Sequence, residues 1–530
     1  RKLSDFSDQH SGGRSEKNTW LIEVCHLYSN IECARIRLLH CEKCVSLILR
    51  VSDGRFCTKE IRRKFYLTVQ EEIFMEKETE KQNLGSGSIP GLMIKLAVPT
   101  IIAQLVNLLY NLVDRIYIGH IREVGDIALT GLGLCFPVLM MVTAFAMLIG
   151  SGGAPRAAIY MGKGDNETAE RILGNSVTSL IVISVVLTIF LEAVAEPILW
   201  MFGASEKTLP FALGYMRIYV AGSIFVMMTL GLNMFITTQG FAKISMMTTI
   251  IGAVINIILD PIFIFALGMG VKGAALATII SQAVSCGWVL AFLTGKKTFL
   301  RIKKEYLKPV PSIVFPCLAL GLSTFVMQSS ESVISVCFNS SLLKYGGDLA
   351  VGAMTILTST MQFAMLPLQG IGQGAQPIMS YNYGARNIDR MKKTFKLHLV
   401  ISLIYSTLFW LFVQLFPATF AGIFSSDPEL VSFTAGALRI YCGAMFLFGI
   451  QLACQMTFVA IGYAVCSIIV AVVRKFVLLL PLIFIVPMFV SNKTMGIYMA
   501  EPIADAIAVT FTAILFSIQF KKALKKLDKA

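Results

Sequence analysis

Runs of about 20 apolar residues constrain this chain more than any other feature, because a stretch of that length crosses the hydrocarbon core of a bilayer as a helix. From residue 92 onward they recur with short polar breaks, and they predict twelve transmembrane helices, at roughly 92–118, 127–155, 169–199, 209–236, 242–266, 271–294, 312–340, 348–377, 394–420, 430–459, 463–488 and 494–520. Each span must be helical, since in lipid an isolated segment has to satisfy its backbone polar groups internally. Only 15% of the 530 residues are charged, against about 25% in a soluble domain. The expected fold class is therefore an all-α polytopic membrane protein.

The net charge of +14 has a local origin. Sixteen basic residues sit in three places: Lys296 to Lys308 after span 6, Arg386 to Lys396 after span 8, and Lys521 to Lys529 at the end. The loops on the opposite side carry about one each, at Arg122, Lys207, Lys272, Lys344 and Lys493. This asymmetry is a topology signal and places both termini in the cytoplasm. It does not indicate a nucleic-acid partner; membrane lipids are the expected surroundings, and a monomer the expected state.

The chain repeats itself. "RIY" recurs at 217–219 and 439–441, "GD" at 125–126 and 347–348, and Gly240 is matched by Gly462, each at an offset of 222. Six spans per repeat insert in the same orientation, so two six-helix bundles should be related by a pseudo-two-fold axis along the membrane normal. The expected organisation is a polar tail over 75–91, a first bundle over 92–294, a basic linker over 295–311, a second bundle over 312–520 and a basic tail over 521–530. Duplicated bundles around a central cavity are transporter architecture. No HExxH, no GxSxG within a span and no Walker GxxxxGK[ST] occurs, which argues against an enzyme and against an ATP-driven pump. No cofactor is expected.

The repeat is broken at one informative place. "INIILDPIFI" in the first half matches "KFVLLLPLIF" in the second. The proline recurs as Pro261 and Pro481, but Asn256 aligns with Phe476 and Asp260 with Leu480. A scaffold requirement would apply to both halves, so Asn256 and Asp260 mark a function grafted onto one. They are four residues apart and share a helix face. Pro261 lacks an N–H, so it bends the helix and releases the carbonyl of Ile257. An amide oxygen, a carboxylate and a carbonyl are hard ligands, suited to Na⁺ or to a carried proton. Candidate partners are Asp114 in span 1, which has an ion pair with Arg115 or an interfacial position near the outer surface as its alternative, and Thr278 in span 6, which has an ordinary helix contact as its alternative. Tyr110 lies one turn before Asp114 and is placed in the same pocket.

Other polar residues within spans allow two readings. Gln328 and Glu331 in span 7 either face a substrate cavity or bond within the second bundle. Arg474 and Lys475 are expected to pair with Glu501 or Asp505. Arg217 and Arg439 occupy equivalent repeat positions and read as structural. Methionines such as Met227, Met228 and Met234 offer an adaptable surface for varied ligands. His120 and His398 read as lying near loops, without ligand spacing. The seven cysteines after residue 75 read as buried small hydrophobes.

"NLLYNLVDRIYIGHI", "INIILDPIFIFALGMGVKGAALAT" and "MAEPIAD" together resemble the MATE (multidrug and toxic compound extrusion) transporters, over about residues 85–520. The resemblance is to the prokaryotic branch similar to DinF. It implies a first-lobe cation or proton site made of Asp114, Asn256, Asp260 and Thr278, with no metal beyond a possible Na⁺. It also implies secondary active export of bulky amphipathic, often cationic compounds from a bacterial cytoplasmic membrane, driven by inward H⁺ or Na⁺. Alternating access is the implied mechanism, with span 1 bending at Pro99. The alternative within the same superfamily is a flippase for lipids or lipid-linked oligosaccharides. A pyrophosphate cargo would call for a cationic cavity, whereas Asp114, Asp260 and Glu331 are acidic.

Residues 1–74 differ from the rest. They contain no methionine, while the following 456 residues contain all 25. The expectation is that Met75 is the natural start and the upstream part is non-native translation or a disordered extension; the competing reading is a zinc site at His40, Cys41 and Cys44.

Overall fold

The computed structural model describes residues 84–529, apart from 122, 123 and 426. The expectations for residues 1–74, the zinc reading included, lie outside the described residues.

The described residues form helices joined by short loops, without a strand. In the first lobe, α1 is Ile89–Gly119, α2 Gly125–Gly162 and α3 Asn166–Ala193. Helix α4 is a bent pair, Leu209–Ala221 and Ser223–Thr238, turning by 54°. Helix α5, Ala242–Pro261, runs on as a π turn over Ile262–Ala266, and α6 is Val271–Thr294. In the second lobe, one helical stretch, Pro311–Gly384, breaks at Gly347 (φ 63°) into α7 (311–346) and α8 (348–384). Helix α9 is Ile388–Leu415, and α10 is the bent pair Pro428–Tyr441 and Met445–Ala460, turning by 46°. Helix α11 consists of Ala464–Val472, a π turn over Val473–Leu479, and Leu480–Phe489; α12 is Lys493–Lys529. With each bent pair taken as one span and the break at Gly347 as a loop, these are the twelve spans of the sequence. The π turns are the departure: beside the prolines the chain widens its helices, where a simple kink was expected.

Helix starts repeat as faithfully as the spans. Asp165 caps α3, its carboxylate accepting from the Thr168 N–H at 3.0 Å, and Asn387 caps α9, accepting from the Arg390 N–H at 3.1 Å. The residue before each cap takes a left-handed conformation, Gly164 at φ 79° and Arg386 at φ 58°. A non-glycine residue is uncommon there. The turn geometry of the first half has been kept in the second without its glycine.

The two lobes have separate apolar cores. One is built around Leu180, Leu232, Phe235 and Leu293, the other around Phe338, Leu357, Leu438 and Tyr498. Between the lobes, α2 crosses α7 and α8. A Cβ on Gly162 would collide with the Tyr381 carbonyl, and a Cβ on Gly384 would collide with the Ile159 carbonyl. Residues 159 and 381, like 162 and 384, differ by 222, so the contact is reciprocal and a pseudo-two-fold axis passes between the two glycines. Backbones approach this closely only at small residues, the usual device where lipid supplies no hydrophobic drive between helices.

Candidate first-lobe cation site and its neighbours

Packing register brings α5 and α6 together as antiparallel neighbours. At one end Ser285 donates to the Thr248 carbonyl at 3.1 Å. At the other end Gly273 lies against the backbone of Phe263. Between these two contacts, Thr278 falls at the level of Asn256 and Asp260. Helix α1 runs alongside, with the rings of Tyr117 and Phe265 in edge contact at 6.3 Å. This places Asp114 at the level of Asp260. Asp114, Asn256, Asp260 and Thr278 thus occupy one level of the first lobe, and all four are buried, Asp260 completely.

The amide of Asn256 donates to Asp260 Oδ1 at 3.1 Å. Asp260 Oδ2, Asn256 Oδ1 and Asp114 Oδ1 are buried without a hydrogen-bond partner. The ion pair between Asp114 and Arg115 is not formed; the guanidinium lies over the ring of Phe136, 5.6 Å from its centroid. Asp114 and Asp260 lie within electrostatic reach of each other, and Tyr110 within reach of both. A buried charge without a partner is costly, and here two carboxylates share one apolar lobe. The free oxygens, two from carboxylates and one from an amide, match the demands of a hard cation or a shared proton. Among the described residues no group of three His, Cys, Asp or Glu side chains could hold a metal ion.

Two residues of this region were not singled out from the sequence. Tyr215 and Tyr219 on α4 are buried, and their rings stack with centroids 6.1 Å apart. Tyr215 lies within electrostatic reach of Asp114, and Tyr219 of Tyr110. The available signal was a pair of tyrosines four residues apart within a span.

Beside the site is a cavity of about 140 Å³. Its lining is polar and uncharged, with Gln104, Asn107, Asn233, Gln282, Gln373 and Gln376 prominent. Tyr110 belongs to that lining whereas Asp114, Asn256 and Asp260 do not, so Tyr110 stands between the cavity and the carboxylates. Drug-sized ligands need about 300–1,000 Å³, so in this conformation the cavity is too small for one.

The second lobe is arranged differently. Arg474 binds Asp505 through Nε at 2.8 Å and approaches Glu501 at 3.6 Å. Lys475 does not join them as expected; its Nζ binds Glu331 Oε1 at 2.7 Å. The reason is the π turn carrying both cations, from which Arg474 reaches α12 and Lys475 reaches α7. Gln328 Oε1 is buried without a partner. His398, expected near a loop, is fully buried within its helix. Of the seven cysteines, Cys135, Cys286, Cys317, Cys442 and Cys454 are buried, and Cys337 and Cys466 half-buried.

Two pseudo-symmetric six-helix lobes, one of them holding uncompensated buried carboxylates, define a polytopic membrane transporter. The chain belongs to the MatE family, whose model matches twice, at residues 99–262 and 323–485. Among curated proteins it is similar to the multidrug export protein MepA of Staphylococcus haemolyticus, with 26% identity over 68% of this chain and 78% of that one. It is likewise similar to MepA of Staphylococcus saprophyticus, with 25% identity over 74% and 86%. Among solved structures it resembles an outward-facing multidrug resistance MATE family transporter of the MOP superfamily, with TM-score 0.78 and 25% identity over 86% of this chain and all of that one. A MOP superfamily transporter from Pyrococcus furiosus, described as having a binding pocket of reverse polarity, superposes with TM-score 0.79 at 25% identity over 86% and 100%.

Proposed function

We propose that this chain is a secondary active multidrug exporter of a bacterial cytoplasmic membrane. It exchanges bulky amphipathic, often cationic compounds for inward H⁺ or Na⁺, with both termini in the cytoplasm. The observation that carries the reading is the pair of buried carboxylates, Asp114 and Asp260, with no ion pair to either and with unpartnered oxygens around them. Such a pair is stable at membrane depth only with a proton or a cation between the groups. Asn256 fixes one face of Asp260, and Thr278 supplies a hydroxyl at the same level. Pro99 lies within α1, the helix that carries Asp114, and gives it a place to bend. An ion that binds one conformation better than the other shifts the equilibrium between them, and by linkage it resets the affinity for cargo. Names of the relatives support the drug-export part of this reading.

A flippase with a pyrophosphate-linked cargo is less well supported. Its cavity would need free cations, whereas Arg474 and Lys475 are buried and both are paired.

The test is efflux of ethidium from proteoliposomes under an imposed pH gradient and, separately, an imposed Na⁺ gradient, for wild type and for Asp260→Asn. The expected result is wild-type efflux driven by one gradient and none from the variant. Gradient-driven efflux retained by Asp260→Asn overturns the site; no cation efflux under either gradient overturns the exporter.

A further inference from the structure

We propose that Glu331 and Lys475 form a cargo-exchange site in the second lobe. Lys475 occupies, as an internal ammonium, the place taken by the cationic group of an organic substrate, and moves towards Glu501 when that group arrives. The proposal rests on the reading of the chain as an exporter of organic cations.

Four observations carry it. The first is where Glu331 points. On α7 the exposed apolar residues Phe315, Leu322, Val333 and Val336 form one stripe, and Glu331 lies on the opposite side of the helix, in line with Gln328 and Ser335. Its side chain is 62% exposed.

The second is the asymmetry of the pair. Lys475 is only 4% exposed, so a desolvated ammonium is held by a carboxylate that is open to solvent. A ligand can reach the carboxylate without reaching the lysine.

The third is the charge count. Glu331, Glu501 and Asp505 face Arg474 and Lys475, which leaves one carboxylate uncompensated. Glu501 lies within electrostatic reach of Lys475 and makes only the longer contact to Arg474. It is a ready second partner for the ammonium, and the cluster has capacity for one further positive charge.

The fourth is Gln451. Phe448, three residues earlier on α10, lies under the Arg474 guanidinium at 4.9 Å, and Gln455, four residues later, touches Met327 Sδ at 2.6 Å. Gln451 is therefore on the face between α11 and α7, where the Glu331–Lys475 pair lies. It is 4% exposed, and both its amide oxygen and its amide nitrogen lack a partner. A buried amide with neither bond made is costly, and a ligand entering beside Glu331 would satisfy it. The ligand class is an organic monocation of the ammonium or amidinium type, one charge matching one surplus carboxylate.

Equilibrium binding of ethidium to the full-length, detergent-solubilised protein tests this by fluorescence anisotropy. Removing the internal competitor in Lys475→Met should tighten binding by at least about tenfold, and Glu331→Gln should weaken it by a similar factor. In the Glu331→Gln background the lysine substitution should then have no effect. Unchanged or weaker binding by Lys475→Met, or an equal effect in both backgrounds, overturns the proposal. A measurement on the unsubstituted protein guards against misfolded variants: ethidium should protect Glu331 from a hydrophobic carbodiimide, read by mass spectrometry of the labelled peptide. Labelling that is indifferent to ethidium overturns the exchange site while leaving the exporter reading intact. Wild-type protein that neither binds nor exports ethidium removes both.

Discussion

The two lobes share one fold and solve the problem of buried charge in opposite ways. In the first lobe Asp114 and Asp260 make no ion pair; Arg115 is within electrostatic reach of Asp114 but lies over the ring of Phe136, and an amide, a hydroxyl and tyrosines complete the surroundings. In the second lobe three carboxylates and two cations neutralise each other to within one charge. A duplicated scaffold therefore does not imply a duplicated site. The first lobe leaves its carboxylates without an ion pair, whereas in the second the ion pairs tie three helices together and leave a surplus of one negative charge.

The largest effect should come from breaking the compensated side. Arg474→Met leaves Glu501 and Asp505 buried and unpaired, and should cost about 3–5 kcal/mol, seen as a sharp fall in the melting temperature of the detergent-solubilised protein. Replacing all three groups, by Arg474→Met, Glu501→Gln and Asp505→Asn together, should recover most of the loss. If the triple variant melts as low as the single one, the network is not acting through its charges.

The same operation on the first lobe should leave the fold intact. Asp260→Asn removes an uncompensated charge and should change stability by about 1 kcal/mol or less, in either direction, while gradient-driven export falls to background. A melting temperature that drops as far as for Arg474→Met would mean that Asp260 is structural after all.

A smaller effect is expected where the linker is tied to the first lobe. Glu170 binds Lys303 at 2.5 Å and accepts from the Arg301 N–H at 3.2 Å. Lys303 is solvent-exposed, so Lys303→Gln should lower the melting temperature only slightly, and the loss should shrink as salt is raised. A salt-independent loss would point to packing of the lysine stem instead.

The smallest contrast separates the equivalent helix caps. Asp165→Ala and Asn387→Ala should each cost about 1 kcal/mol. Only the first cap should depend on pH. The Thr168 N–H and side chain hold the Asp165 carboxyl below its ordinary value of 3.8. Its contribution is therefore present above that value and fades as the pH falls through the lower, folded one. An amide cap has nothing to titrate. Parallel acid melts of the two variants check this: the gap between wild type and Asp165→Ala should close in acid, and the gap for Asn387→Ala should persist.

Much of the fold was legible because membrane burial writes itself into composition. A span needs its length of apolar residues whatever packs beside it, and the repeat offset of 222 visible in "RIY" and "GD" reappears in the caps at Asp165 and Asn387 and in the crossing of Gly162 with Gly384. Asn256 and Asp260 were legible for the same reason, as polar residues where the repeat has Phe476 and Leu480. Less legible was anything set by helix rotation. Lys475 was expected to join Arg474 against α12, but the π turn aims it at Glu331 on α7. Tyr215 and Tyr219 read as span residues until α4 was seen to place them against Asp114 and Tyr110. His398, two residues beyond a basic loop cluster, turned out to be core.

By itself the sequence determined the number of spans, their pairing into two repeats and the half that carries the uncompensated carboxylates, because these follow from local hydropathy and from comparison of the chain with itself. Only the tertiary structure decided which charges meet. A partner several helices away is chosen by rotation and register, and those depend on close backbone crossings and widened turns whose cost and benefit are summed over the whole packed lobe.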